Sequence, residues 1–202
     1  MPTQTAVSTS ARVLQGLQSY TIRRKVLKLF GAGFHVFDAN EKVVAYSNQK
    51  AFKLREDIRV YTDESMTTQL LLIKAQKIID FSSAYGVLDP QESQTVGVAR
   101  RKGWRSILRD SWELLDQNGA TVGKLTEDSM VMALARRFLS NLIPQKFILK
   151  TPEGRQQALF RVHFNPFIYK LSVAVEPGCL IDRRLVFATA VLIAAIEGRQ
   201  QG

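Results

Sequence analysis

Apolar and polar residues alternate along most of this 202-residue chain, and in three places the alternation falls into one recurring phrase. FHVFD (34–38), YGVLD (85–89) and WELLD (112–116) each set an aromatic first, apolar residues third and fourth, and Asp fifth. Each is followed by a polar stretch (ANEK, PQESQ or QNGA) and then by a β-rich return, VVAY, TVGVA or TVGKL. Asp bonds the backbone two residues on, while Pro90 and the Asn118-Gly119 pair supply the restricted or positive φ that tight turns need. Each unit therefore predicts a β-hairpin. FILKTPEGRQQALF (147–160) is a degenerate fourth copy with Thr151 where Asp would stand, and YKLSVAV (169–175) alternates as one more strand. Residues 50–79 alternate on both sides of a polar turn near Asp63 to Ser65, which predicts another strand pair.

Two segments break the strand pattern. In 128–142, Met130, Leu134, Phe138 and Leu142 recur every four residues, Asp128 or Ser129 can cap the start, and Pro144 follows the end. This predicts an inserted amphipathic helix packed outside the sheet. Near the end, Leu185 to Ile196 contain nothing more polar than Thr189. Twelve helical residues rise about 18 Å, against roughly 30 Å of bilayer hydrocarbon, and a run apolar on every face belongs inside protein. Ten to twelve strands tend to close, and a barrel of that girth holds a central helix. The expected fold is therefore mainly β: a closed barrel of about twelve strands around a hydrophobic C-terminal helix. Residues 1–18 are expected to form a flexible tail or a frayed helix, 19–198 a single barrel domain, and 199–202 a C-terminal tail.

Charge changes the functional picture. With 28 Lys and Arg against 18 Asp and Glu, the net charge is +10, a sign that favours anionic partners. Two clusters concentrate it. Arg100, Arg101, Lys102, Arg105 and Arg109 surround Trp104, a candidate for the membrane interface, and Arg23, Arg24, Lys25 and Lys28 form the second group. Arginine binds phosphate through its bidentate fork and lysine as a point charge.

Catalytic candidates are weak. His35 and His163 fall in strands without ligands at metal spacing, and read as core or barrel-surface residues. The single cysteine, Cys179, excludes an internal disulfide framework and reads as structural. Gly31 to Gly33 leads into a strand and lacks the third glycine of a dinucleotide loop. The adjacent pairs Glu56-Asp57 and Glu127-Asp128 suit hairpin and helix-start roles. No catalytic residue, metal site or cofactor is expected, and the opening MPTQTAVSTS has no basic and apolar leader, so the cytoplasm is the expected location.

The hairpin phrases, FKLREDIRVYTDE (52–64), IKAQKIIDFSSAYGVLD (73–89), and Asp182-Arg183-Arg184 before the apolar run together resemble the LURP-one-related family. That family is grouped with the phospholipid scramblases and the tubby C-terminal domain, and the similarity covers about 20–198. The resemblance implies a tubby-like barrel and, from the tubby domains, recognition of phosphorylated lipid headgroups by surface basic residues. Before the terminal helix only Glu176 and Asp182 are carboxylates, too few for a calcium cage. The leading expectation is a non-enzymatic protein, cytoplasmic and peripheral to a membrane, that binds anionic phospholipid or another phosphorylated ligand. A nucleic-acid-associated regulatory protein is the second reading, and a scramblase the third.

Overall fold

Each hairpin phrase sends its first and third residues into the core: Phe34 and Val36, Tyr85 and Val87, Trp112 and Leu114. The computed structural model describes residues 8–25, 32–49, 57–76, 83–102, 111–127, 145–163, 165 and 168–197. A short helix, α1 (Thr9–Gly16), precedes β1 (Ser19–Lys25), β2 (Ala32–Asp38), β3 (Val43–Gln49), β4 (Ile58–Tyr61), β5 (Gln69–Gln76) and β6 (Ser83–Asp89). Then come β7 (Gln94–Lys102), β8 (Ser111–Leu115), β9 (Thr121–Glu127), β10 (Lys146–Lys150), β11 (Gln156–His163) and β12 (Ile168–Val175), followed by α2 (Arg183–Glu197). Every strand pairs antiparallel with its neighbours in chain order, and β1 also pairs with β12, so the sheet closes into a twelve-stranded barrel. The helix expected at 128–142 lies outside the described residues.

Closure puts the period-2 pattern to use. On β12, Tyr169, Leu171, Val173 and Val175 are buried while the residues between them are not. Phe34, Phe147, Phe160 and Tyr169 project from the wall toward α2, whose Leu185 to Ile196 are all buried. Phe187 of α2 meets the Tyr20 ring at 5.3 Å between centroids. The apolar run is thus the filling of the barrel, surrounded by strands on all sides. No helix among the described residues is long and apolar enough to cross a membrane.

Five tight hairpins share one end of the barrel, because odd strands all run one way and even strands the other. Their turns are variations on one design. Asp38 Oδ1 accepts from the N–H of Asn40 and Lys42, and Asp116 Oδ1 from Asn118 and Ala120, each at 2.9 Å. The fourth residue then takes a left-handed conformation: Glu41 (φ 60°), Met66 (φ 54°), Gly119 (φ 81°) and Gly154 (φ 89°). Its N–H bonds the carbonyl of Asp38, Asp63, Asp116 or Thr151 respectively. A type I turn followed by such a residue matches the twist of the flanking strands.

At this turn end α2 enters the barrel. Asp182 caps it, its Oδ1 accepting the N–H of Arg184 at 2.9 Å. The Arg184 guanidinium, only 8% exposed, donates to Asp182 at 2.8 Å, to Asp89 at 3.0 Å and to Glu92 at 2.7 Å. Asp89 is fully buried. Burial pushes its carboxyl up, but the Ser10 hydroxyl, Arg184 and the N–H groups of Gln91 and Glu92 outweigh this and hold it below the usual range.

Residues 8–17, read from the sequence as part of a flexible tail or a frayed helix, instead dock over this end. Ser8 caps α1 by accepting the Ala11 N–H at 3.1 Å, Leu14 is buried in the core, and Ser8 and Ser10 both donate to Asp89. The helix is held by side chains some 80 positions away, contacts that no local pattern announces.

Candidate anion-binding surface

The two basic clusters do not form one patch. β1 and β7 are six strands apart whichever way the barrel is followed, so they occupy opposite walls. Arg105, Arg109 and Trp104 lie outside the described residues, as do Lys28 and the side chain of Lys25. On β7 the register separates the remaining residues: Arg101 shares the inward face with Ala99, opposite Trp112 of β8, while Arg100 and Lys102 face outward. Both outward cations meet Glu113 of β8, Lys102 at 2.8 Å and Arg100 at 3.6 Å. The Lys102 ammonium is the main cause that holds the Glu113 carboxyl below its ordinary range, against the pull of burial. The β7 face is therefore partly neutralised.

The β1 cluster divides in the same way. Arg24 turns inward over the Phe34 ring at 5.4 Å, whereas Arg23 lies outside over Phe37 at 4.5 Å and pairs with Glu41 at 2.5 Å. Beside it His35 pairs with Glu64 at 2.5 Å and tilts against Tyr46.

Between these two walls the barrel presents a third surface that the sequence disperses. Across β9 and β10, Lys124 stands directly opposite Lys150; across β10 and β11, Lys146 stands opposite Arg161. Across β11, β12 and β1, His163, Lys170 and Arg23 occupy one row. Directly opposed like charges on a sheet face are destabilising. Among the described residues no carboxylate pairs with Lys146, Arg161 or Lys170.

A groove of about 260 Å³ crosses this wall, lined by Ser19, Thr21, Leu159, Arg161, His163 and Ser172 among others. Its floor is low because β12 and β1 contribute small side chains there, Ser172, Ala174, Ser19 and Thr21. His163 Nε2 contacts the Ser172 hydroxyl at 2.5 Å. Burial first, then the nearby Lys170 and Arg161, hold the His163 imidazole below its ordinary range. Hydroxyls, an imidazole and the unneutralised Arg161 thus converge on one depression, with Lys170 beside it across the rung from His163. Its members are separated by up to 153 positions, from Ser19 to Ser172, so only the strand register brings them together.

Elsewhere, Cys179 is half-buried, and burial is the main cause that raises its thiol above the ordinary range. The described residues contain no cluster of His, Cys, Asp and Glu able to hold a metal. Compared with known proteins, the chain matches no family model, no curated protein and no solved structure.

Proposed function

We propose that this protein is a non-enzymatic binding protein that docks on membranes rich in anionic phospholipid through the outer wall formed by β9 to β12 and β1. One observation carries the reading: consecutive strands oppose lysine to lysine, lysine to arginine and histidine to lysine in register. A sheet that serves only as a wall gains by placing opposite charges across its rungs, as Arg100 and Glu113 do. A wall that repels itself is stabilised by an external polyanion. The proposal keeps the ligand class expected from the +10 charge but places the main contact away from Arg100 to Arg109. The resemblance to the LURP-one-related family, with its tubby-like barrel and cytoplasmic setting, belongs to the same proposal; twelve strands around a C-terminal helix support it.

The test is sedimentation with vesicles of phosphatidylcholine, with and without phosphatidylserine. Each Lys or Arg near an anionic membrane contributes about 1 kcal/mol, so Lys146→Gln, Arg161→Gln and Lys170→Gln together lose roughly 3 kcal/mol, more than a hundredfold in affinity. Arg100→Gln with Lys102→Gln loses less, because Glu113 already offsets that pair. Equal sedimentation of the triple variant and the parent would refute the proposal. Binding to oligonucleotides with a steep salt dependence, in the absence of vesicle binding, would replace it with a nucleic-acid partner.

A further inference from the structure

The groove across β11, β12 and β1 is more specific than the wall that carries it. Arg161 and Lys170 come from adjacent strands and flank Ser172, the residue opposite Arg161, while Thr21 stands opposite Ser172 on the far side. Arg161 is exposed and Lys170 half-buried, and neither has an anionic partner among the described residues. His163 faces Lys170 across the same rung, so the guanidinium, imidazole and two hydroxyls that line the groove have an ammonium-bearing residue beside them. A guanidinium fork, an ammonium point charge, a protonatable imidazole and hydroxyl donors are the set that a doubly charged tetrahedral oxyanion satisfies. A planar carboxylate would leave the hydroxyl floor unused. Asp38 lies at the turn-side end of the groove with Ala39, and its Oδ1 is committed to the backbone N–H groups of Asn40 and Lys42.

We infer that this groove is a phosphate-binding site for a phosphomonoester, with Arg161 and His163 taking the phosphoryl oxygens, Ser172 and Thr21 its remaining acceptor positions, and Lys170 adding positive charge from beside the groove. The inference rests on the proposed anionic-lipid reading but goes beyond it, because it asks for a defined headgroup rather than for negative charge. A membrane source would be a lipid with a terminal phosphate; a soluble source would be a small phosphorylated metabolite.

Histidine NMR on the full chain separates these cases. Glycerol phosphate is titrated into the protein at constant ionic strength, with sodium sulfate as the control dianion, while the His163 and His35 ring signals are followed. The site predicts a saturable shift at His163 and an upward move of its titration midpoint, since the bound phosphate offsets the field of Lys170 and Arg161; His35 stays put. Arg161→Ala and Lys170→Ala should each weaken the titration about tenfold. Both side chains lie on the outside of the wall, so the folded signal dispersion of the variants verifies their integrity. Sedimentation with phosphatidic acid vesicles against phosphatidylserine vesicles of equal charge then identifies the source: a preference for phosphatidic acid, lost in Arg161→Ala, assigns the site to a lipid headgroup. Response to glycerol phosphate without that preference assigns it to a soluble ligand. No response at His163, or an equal response to sulfate, overturns the inference, and the wider membrane reading survives that result if both anionic vesicles still bind. Loss of all vesicle binding in the parent chain as well as silence at His163 removes both.

Discussion

Arg184→Met tests how the helix is anchored in the barrel. The substitution keeps an apolar stem of similar reach and removes the guanidinium from between Asp182, Asp89 and Glu92. Glu92 and Asp182 are partly exposed and recover solvation, so the cost concentrates on the fully buried Asp89. Breaking a buried ion pair by deleting one partner costs about 3–5 kcal/mol. Asp89 keeps the Ser8 and Ser10 hydroxyls and two backbone N–H groups, which places the expected loss near the lower end, about 3 kcal/mol. The pH dependence gives a second signature. In the parent, the depressed Asp89 and Glu92 carboxyls contribute stability that is present above their unfolded values near 4 and lost as pH falls through the folded ones. Without Arg184 the largest remaining influence on Asp89 is burial, which favours its protonated form, so the gap between variant and parent narrows as pH is lowered from about 7 to about 4. Urea unfolding followed by tryptophan fluorescence at both pH values measures it. A deficit under about 1 kcal/mol at neutral pH, or one that stays constant with pH, would show that Arg184 is not what balances Asp89.

Three further substitutions probe other steps of the argument. Met66→Gly, at an exposed left-handed turn position, should raise stability by about 1 kcal/mol in the same urea assay, because glycine adopts positive φ without the Cβ penalty. Gly97→Ala should lower it by about 3 kcal/mol or more: an added Cβ would lie 2.3 Å from the Leu115 carbonyl oxygen and 3.1 Å from Leu185 of α2, and the carbonyl belongs to backbone that cannot swing aside. Lys146→Glu, which turns the rung opposite Arg161 from repulsive to attractive, should stabilise the free protein by about 0.5 kcal/mol at low salt while weakening vesicle binding. A variant improved in both respects would contradict the assignment of this wall to an anionic surface.

The barrel was readable because its physics is local. The phrases ending at Asp38, Asp89 and Asp116 declare their turns within five residues, and the apolar run from Leu185 to Ile196 announces a helix that must be surrounded. Even the degenerate copy at Thr151 keeps the fourth-place glycine, Gly154, that its turn requires. What escaped the sequence depends on register. Arg100 and Arg101 are adjacent in the chain yet face opposite sides of the wall, so a cluster in sequence is half a cluster on a strand. Conversely Lys146, Arg161, His163 and Lys170 form a surface only after strands of known pairing are laid side by side. A signal was present in principle: extending the predicted hairpin at 147–160 by one rung opposes Lys146 to Arg161. The docking of α1 left less to find, since its decisive partners are Asp89 and Arg183, far along the chain.

The position of α2 after all twelve strands has a consequence for how the protein is made. A ribosome delivers the staves before the spindle on which they close, so a nascent chain still short of its last stretch carries inward-facing Phe34, Phe147 and Phe160 with nothing to rest against. Cooperative collapse must wait for α2, and the interval before it is made is when a holdase would find the chain and when a stop near residue 180 would leave only a sticky sheet.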